Sequence, residues 1–430
     1  MTKNKIRKIF HNDDNKKLLK NFSYLSILQI ANYAFPLITF PYLVRVLGPE
    51  KFGLIAFANA FIMYFNILTS YGFDLSATKD ISINRENKLK VNQIFSAVMI
   101  IKIVFLLISL SILSIIIILF SKFSKDIWLY YLTFGTVIGR ALFPVWLFQG
   151  LEEMKFITII NILARFIYTL LIFVFVRNMN DYLYVPAVNS AGLIIAGILA
   201  LFIVRRRFSI KLTLVSFESI KWQLKEGWYI FISTVSISFY TVSNIFILGL
   251  FTNNTIVGYY AGAEKIVNII KNLYAPISQT IYPHLNKLFN ENKERGLQFS
   301  RNILKIVAPV SLFIVILLIV FANIIVNIVL GMKYTNSVVI LRILSFLPFF
   351  IVLSNIMGIQ VMLSLNYKEA FTKIVTFSSV LNVVLATILV QWFAATGIAI
   401  SVFLSELFVT LLMYMFLNTK GIYLIKGNYV

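Results

Sequence analysis

Apolar runs long enough to cross a bilayer recur along this chain, and a bilayer permits very few folds. Read at about 20 residues per span, the sequence contains twelve of them: 22–44, 53–73, 91–120, 127–150, 156–176, 183–204, 227–250, 256–285, 303–329, 338–365, 371–392 and 395–417. Hydrocarbon offers no hydrogen-bond partner, so each run must satisfy its own backbone, and at this length that means a helix. Hydrophobic residues make up 59% of the 430 and charged residues only 13%, in line with that reading. The polar start "MTKNKIRKIFHNDDNKKLLKN" is too long and too charged for the n-region of a cleavable signal. The expected fold is an all-α polytopic membrane protein with twelve transmembrane helices.

The loops set the orientation. With the N-terminus in the cytoplasm, the inside segments carry 27 of the 39 Lys and Arg residues, the outside loops 6 and the spans 6. That bias predicts both termini inside. It also accounts for most of the net charge of +22 without a nucleic-acid partner. The outside loops are short, "SKFSKD" and "RNMNDY" being typical, and none is large enough for a catalytic domain. There is no cysteine for a disulfide or thiolate site. His11 and His284 have no second ligand at metal spacing, and no G-x-x-x-x-G-K-[ST] run is present. The chain is expected to be no enzyme, with no metal and no cofactor.

A parallel repeat is expected. "GLIAFANAFI" begins at Gly53 and "GYYAGAEKIV" at Gly258, both reading G-x-x-A-x-A, and each opens an even-numbered span after a short outside loop. The two fall at equivalent places in two six-span halves of the same orientation. Small residues at such points let helices approach closely. The expected organisation is a cytoplasmic tail (1–21), a six-helix bundle (22–204), a cytoplasmic linker (205–226), a second six-helix bundle (227–417) and a cytoplasmic tail (418–430), related by a pseudo-twofold.

Four stretches, "FPYLVRVLGPEKFGLIAFA" (40–58), "YGFDLSATKDIS" (71–82), "WLFQGLEEMKFIT" (146–158) and "LKEGWYIFIS" (224–233), resemble the polysaccharide biosynthesis or oligosaccharide-lipid flippase family, whose best-known members are the Wzx-type O-antigen flippases. The resemblance runs from about residue 20 to 415. It implies a MATE-like architecture, shared with multidrug exporters and lipid II flippases, in which two bundles face each other across a cavity. It also implies the bacterial inner membrane and an undecaprenyl-diphosphate-linked oligosaccharide substrate, with the bilayer and other polysaccharide assembly proteins as partners. Proton gradient, sodium gradient and downhill use of the product outside stay open as motive force. So do the sugars themselves and the choice between O-antigen and capsule.

The charges inside the spans carry the site expectation. At about 1.5 Å of rise per residue, Lys102, Arg140, Lys271 and Glu406 fall near mid-bilayer, with Arg165, Glu264 and Lys265 within a turn or two. Arg342 lies only a few residues into its span and snorkels outward. A charge at mid-span costs at least about 2.5–3.5 kcal/mol, so such residues face a wet cavity or a partner. Internal pairing of Glu264 and Glu406 absorbs two cations and leaves about three, which a diphosphate would compensate. Arg140, Lys102, Arg165 and Lys271 are therefore the candidate substrate cations, and Glu406 and Glu264 the candidates for ion coupling. Asn32, Tyr240, Asn244 and Asn268 are candidate cavity polar groups, although hydrogen bonds between helices would use the same residues. Pro36, Pro41, Pro276 and Pro283 are expected to bend their helices. Arg45, Asp74, Gln149 and Glu152 sit at membrane edges as turn or gate residues, Asp74 pairing with Lys79 or with a cation of the other bundle. A multidrug exporter would need an acidic cavity rather than a basic one, and a membrane enzyme would need larger outside loops.

Overall fold

The computed structural model describes residues 13–424, apart from the side chains of residues 13–19, 22, 236, 237, 239–241 and 275. The described residues contain helices and no strand. Helix α1 (Asp13–Ser70) carries the first two spans in one run broken at Gly48, whose φ of 67° glycine adopts without a Cβ penalty. The stretch expected as an inside loop after span 2 forms a helix of its own, α2 (Phe73–Asn84). Then come α3 (Lys88–Leu119), α4 (Ile127–Leu142), α5 (Val145–Gly150), α6 (Met154–Phe175) and α7 (Tyr184–Arg207), which cover spans 3 to 6.

Spans 7 and 8 correspond to α8 (Phe217–Thr241) with α9 (Ser243–Phe251), and to α10 (Asn254–Glu291). Helices α11 (Lys293–Val320) and α12 (Ala322–Val329) form span 9. Span 10 is built from α13 (Ser337–Leu344), α14 (Leu347–Asn355) and a π-helical stretch, Ile356–Leu363. Helix α15 (Lys368–Thr419) carries the last two spans and breaks at Ala394, at φ 47° and ψ −126°. For a residue with a Cβ such a conformation costs on the order of 1–3 kcal/mol, and the turn between spans 11 and 12 imposes it.

Eight helical stretches are long and apolar enough to cross a membrane. Two of them, Ser23–Asn84 and Lys368–Thr419, contain the breaks at Gly48 and Ala394 and so supply two legs each. The helices of spans 7 and 8, α8, α9 and α10, are not among the eight. The prolines do not interrupt their helices: α1 runs through Pro36 and Pro41, and α10 through Pro276 and Pro283. Breaks fall instead at Gly48, Pro144 and Ala394, and also at Val242, at Phe321 and at Ser345–Phe346.

The chain divides into two compact units. The first takes the described residues up to Leu47 together with Ala58–Val235, and the second takes Gly48–Phe57 together with the residues from Ser236 onward. Residues 205–226, expected as a linker, belong to the first unit. That unit packs around Phe73, Ile81, Phe95, Trp146 and Phe148, with Trp146 fully buried. Its tightest helix pair is α4 with α7. A Cβ on Gly135 would strike Ser190, and one on Gly139 would strike the Leu193 backbone. This G-x-x-x-G spacing brings the two backbones together where lipid tails give no hydrophobic drive.

The second unit packs around Leu285, Val361, Met362 and Met413. Within it the two G-x-x-A-x-A segments meet. A Cβ on Gly53 would run into the Asn254 carbonyl and Gly258, and one on Gly258 into the Pro49 carbonyl. Both glycines are close-packing points, and each packs on the other's neighbourhood. On both units large apolar side chains such as Ile118, Trp128 and Trp392 stay exposed. Acyl chains cover such residues in a bilayer.

Candidate functional site

The α4–α7 contact sets up the first site. Arg140 follows Gly139 in the last turn of α4, so the close approach at Gly139 lays it beside Gly192 and Leu193 of α7. There it is exposed to a cavity of about 180 Å³ inside the first unit. Arg165 on α6, half-buried, lines the same cavity, within electrostatic reach of Arg140. Asn161 and Tyr168 flank Arg165 on α6, Asn189 comes from α7, and Phe35, Pro36 and Thr39 from α1. No carboxylate lines this cavity among the described residues.

Lys102 has a different place. It is buried on α3, and its Nζ donates a hydrogen bond to the Arg140 carbonyl at 3.4 Å. The reason lies in the sequence. An α-helix would satisfy that carbonyl with the N–H four residues on, but residue 144 is proline and has none. Phe143 is extended, as the residue before a proline prefers. The Lys102 amino group takes the place of the missing donor, so it stands in the wall behind Arg140 and does not line the cavity.

Asp74, exposed in the first turn of α2, exerts its charge on both Lys102 and Arg140. The expected pairing of Asp74 with Lys79 is corrected: Lys79 reaches Glu226 at 3.9 Å instead. Two of the other edge residues, Gln149 and Glu152, contact Thr78 of α2 and Arg85 just after it. Thr78 Oγ1 donates to the Asp74 carbonyl at 2.8 Å and lies 3.2 Å from the Trp146 carbonyl and 3.4 Å from Gln149 Oε1. Glu152, at a positive φ of 58°, pairs with Arg85 at 3.1 Å, and its carbonyl accepts from Asn21 at 2.9 Å. Arg45 is exposed just before the Gly48 break.

The second unit holds a cavity of about 290 Å³, and it brings together Lys271 of α10 and Glu406 of α15. Ser354, Asn355 and Ser379 add polar groups to its wall. Asn355 Oδ1 accepts from Ser278 Oγ at 2.8 Å, and the buried Gln360 donates to Ser278 from within the π-helical stretch. A π-helical segment at a cavity is a frequent mark of a functional position. Glu264 is not part of this wall; it accepts from Tyr260 Oη at 3.4 Å and feels Lys271 and Lys265. Asn268 is half-buried on the same helix, and Asn244 is buried on α9. Asn32 lies one turn before Pro36 on α1, with its Oδ1 buried and unpartnered among the described residues. Tyr240 lies outside the described side chains, as His11 lies outside the described residues.

Sequence reasoning missed Asn161, Tyr168 and Asn189. The signal was present: Asn161, Arg165 and Tyr168 stand at i, i+4 and i+7, a polar stripe on one face of an otherwise apolar span. Asn355 and Gln360 carried no comparable signal, since their role depends on a π-helical stretch.

The family model described as polysaccharide biosynthesis protein matches residues 18–289. A relative in Escherichia coli (strain K12), "Putative O-antigen transporter", is 37% identical over 409 residues, covering 95% of this chain and 99% of the relative. A protein of the same name in Shigella dysenteriae is 28% identical over 92% of this chain and 98% of its own. Among solved structures, an inward-facing multidrug resistance MATE family transporter of the MOP superfamily aligns with a TM-score of 0.67 at 16% identity, over 93% of this chain and 99% of its own. The lipid II flippase MurJ in an inward closed conformation aligns with a TM-score of 0.68 at 13% identity, over 93% and 87%. The two structures establish the fold, and the sequence matches establish kinship: the chain belongs to the polysaccharide biosynthesis protein family.

Proposed function

We propose that this protein is a flippase for lipid-linked oligosaccharides. It carries undecaprenyl-diphosphate-linked repeat units of O-antigen, or of a related surface polysaccharide, from the cytoplasmic to the periplasmic leaflet of the bacterial inner membrane by alternating access. The observation that carries the reading is the pair Arg140 and Arg165 on one cavity whose lining holds no carboxylate. Two like charges held together in a span are costly unless an anion joins them. A diphosphate fits, because each guanidinium offers a planar fork to phosphate oxygens. Asn161, Asn189, Tyr168 and Thr39 surround the pair with the neutral donors and acceptors that sugar hydroxyls need. The names of the curated relatives agree with a transport role in O-antigen assembly.

The Lys271–Glu406 cavity is assigned to ion coupling, with Glu406 as the group that takes up and releases a proton or sodium ion during the cycle. A deletion strain tests the reading. Lipid-linked repeat units should be completed and remain in the cytoplasmic leaflet, with surface polysaccharide lost. Absence of the completed units would point to a role in synthesis and sink the proposal.

A further inference from the structure

A second basic site lies apart from the Arg140 cavity. A groove of about 920 Å³ on the first unit runs between the start of α3 and the end of α7, lined by Lys88, Leu89, Phe202, Arg205, Arg206 and Lys211. It has four cations and no carboxylate in its lining, and none of the four makes an ion pair among the described residues. Its walls are built rather than incidental. After α7 the chain turns through Ser209 at a positive φ of 53° and crosses back to α3. There the Lys211 amide donates to Asn92 Oδ1 at 3.3 Å and the Thr213 amide to Ser96 Oγ at 2.8 Å. This strap fixes the Lys211 backbone opposite Arg205 and Arg206.

Arg205 and Arg206 suit the negative end of the α7 dipole and so have a local reason to be there. Lys88 does not. It opens the 32-residue helix α3, whose first turn has no acidic residue, so its charge adds to the positive end of that dipole. An anion between the two helix ends would be favoured by all four cationic side chains. Leu89 and Phe202 are exposed beside the cations, and Arg206 lies 5.6 Å from the centroid of the Phe202 ring. Charge at the rim with bare apolar side chains beside it suits a ligand that is a phosphate at one end and hydrocarbon at the other.

We infer that this groove binds the doubly anionic phosphate headgroup of a membrane lipid in the cytoplasmic leaflet. The inference rests on the cytoplasmic placement of residues 74–90 and 205–226 and is independent of what the Arg140 cavity carries. Two lipids offer that chemistry, a bisphosphate glycerophospholipid and a polyprenyl diphosphate.

The test uses the full chain in neutral phosphatidylcholine nanodiscs containing a few per cent of cardiolipin, or of undecaprenyl diphosphate, with retained lipid counted by native mass spectrometry. Wild type should retain one or both above singly charged phosphatidylglycerol, and the lipid retained identifies the source. Arg205→Gln/Arg206→Gln/Lys211→Gln should weaken retention by roughly fivefold per charge, more than a hundredfold together. Two further variants keep the result interpretable. Arg205→Lys/Arg206→Lys/Lys211→Arg keeps the charge and should retain lipid. Lys287→Gln/Lys293→Gln/Arg295→Gln removes equal charge elsewhere and should behave as wild type. Equal loss in the second control would mean general surface attraction and overturn the inference, as would full retention by the groove variant.

Discussion

Removal of Lys102 separates its position behind Arg140 from a role in holding substrate. Lys102→Met keeps the length and volume of the side chain and takes away the donor to the Arg140 carbonyl. An unsatisfied carbonyl in a partly buried setting costs about 1–3 kcal/mol, or roughly a fivefold to 150-fold shift in the folded population. Part of that is offset, since a buried amino group is itself unfavourable in a span. The net expectation is a clear fall in the thermal midpoint of the purified protein in detergent, with weakened transport because Arg140 loses its anchor. Pro144→Ala in the same chain supplies the N–H that the proline withholds. It should recover most of both losses. Thermal unfolding followed by intrinsic fluorescence, paired with complementation of a deletion strain, reads both. A Lys102→Met protein as stable as wild type but inactive, with no recovery from Pro144→Ala, would refute the anchoring argument and return Lys102 to the substrate.

Three further outcomes are expected. Gly258→Ala drives a methyl group into the Pro49 carbonyl and Gly53→Ala into that of Asn254, so each should cost about 1–3 kcal/mol from overpacking, and the double variant should cost less than the sum because the sites touch; wild-type thermal midpoints would remove the close-packing argument. Reporter fusions after residue 181 should report the periplasm and those at 215 and after 420 the cytoplasm, as the 27 to 6 bias requires; a periplasmic C-terminus would contradict an even number of spans. Glu406→Gln mimics the protonated carboxyl and should slow cycling at unchanged expression, seen as shortened surface polysaccharide; normal polysaccharide at low expression would take Glu406 out of the coupling step.

Spans were legible because hydrocarbon imposes one rule on every backbone group, and apolar length reports it directly. All twelve predicted runs coincide with helices, and the breaks at Gly48 and Pro144 fall on the residues whose chemistry permits them. Ala394 gave no such warning, because alanine favours helix and only the tertiary turn forces its backbone. Charges in spans were legible as functional candidates, since each is expensive there. Their partners were not. That Arg140 and Arg165 would share one cavity, and that Lys102 would turn to a carbonyl instead, depends on how α3, α4, α6 and α7 pack. The Pro144 signal for Lys102 was in the sequence, but the missing donor was recognisable only once a nearby amino group was in view.

If Arg140 and Arg165 hold the diphosphate as proposed, transport by Arg140 variants at matched, quantified protein levels reads it out. Surface polysaccharide ladders in a deletion strain should be lost with Arg140→Ala and with Arg140→Glu, and partly kept with Arg140→Lys, which preserves the charge without the fork. Arg165→Ala should weaken transport in the same direction. All of these proteins should insert normally, because no carboxylate among the described residues forms an ion pair with Arg140 that its loss would strand. Full-length polysaccharide from Arg140→Ala at wild-type protein levels would contradict the anion site and, with it, the account of how this cavity recognises its lipid.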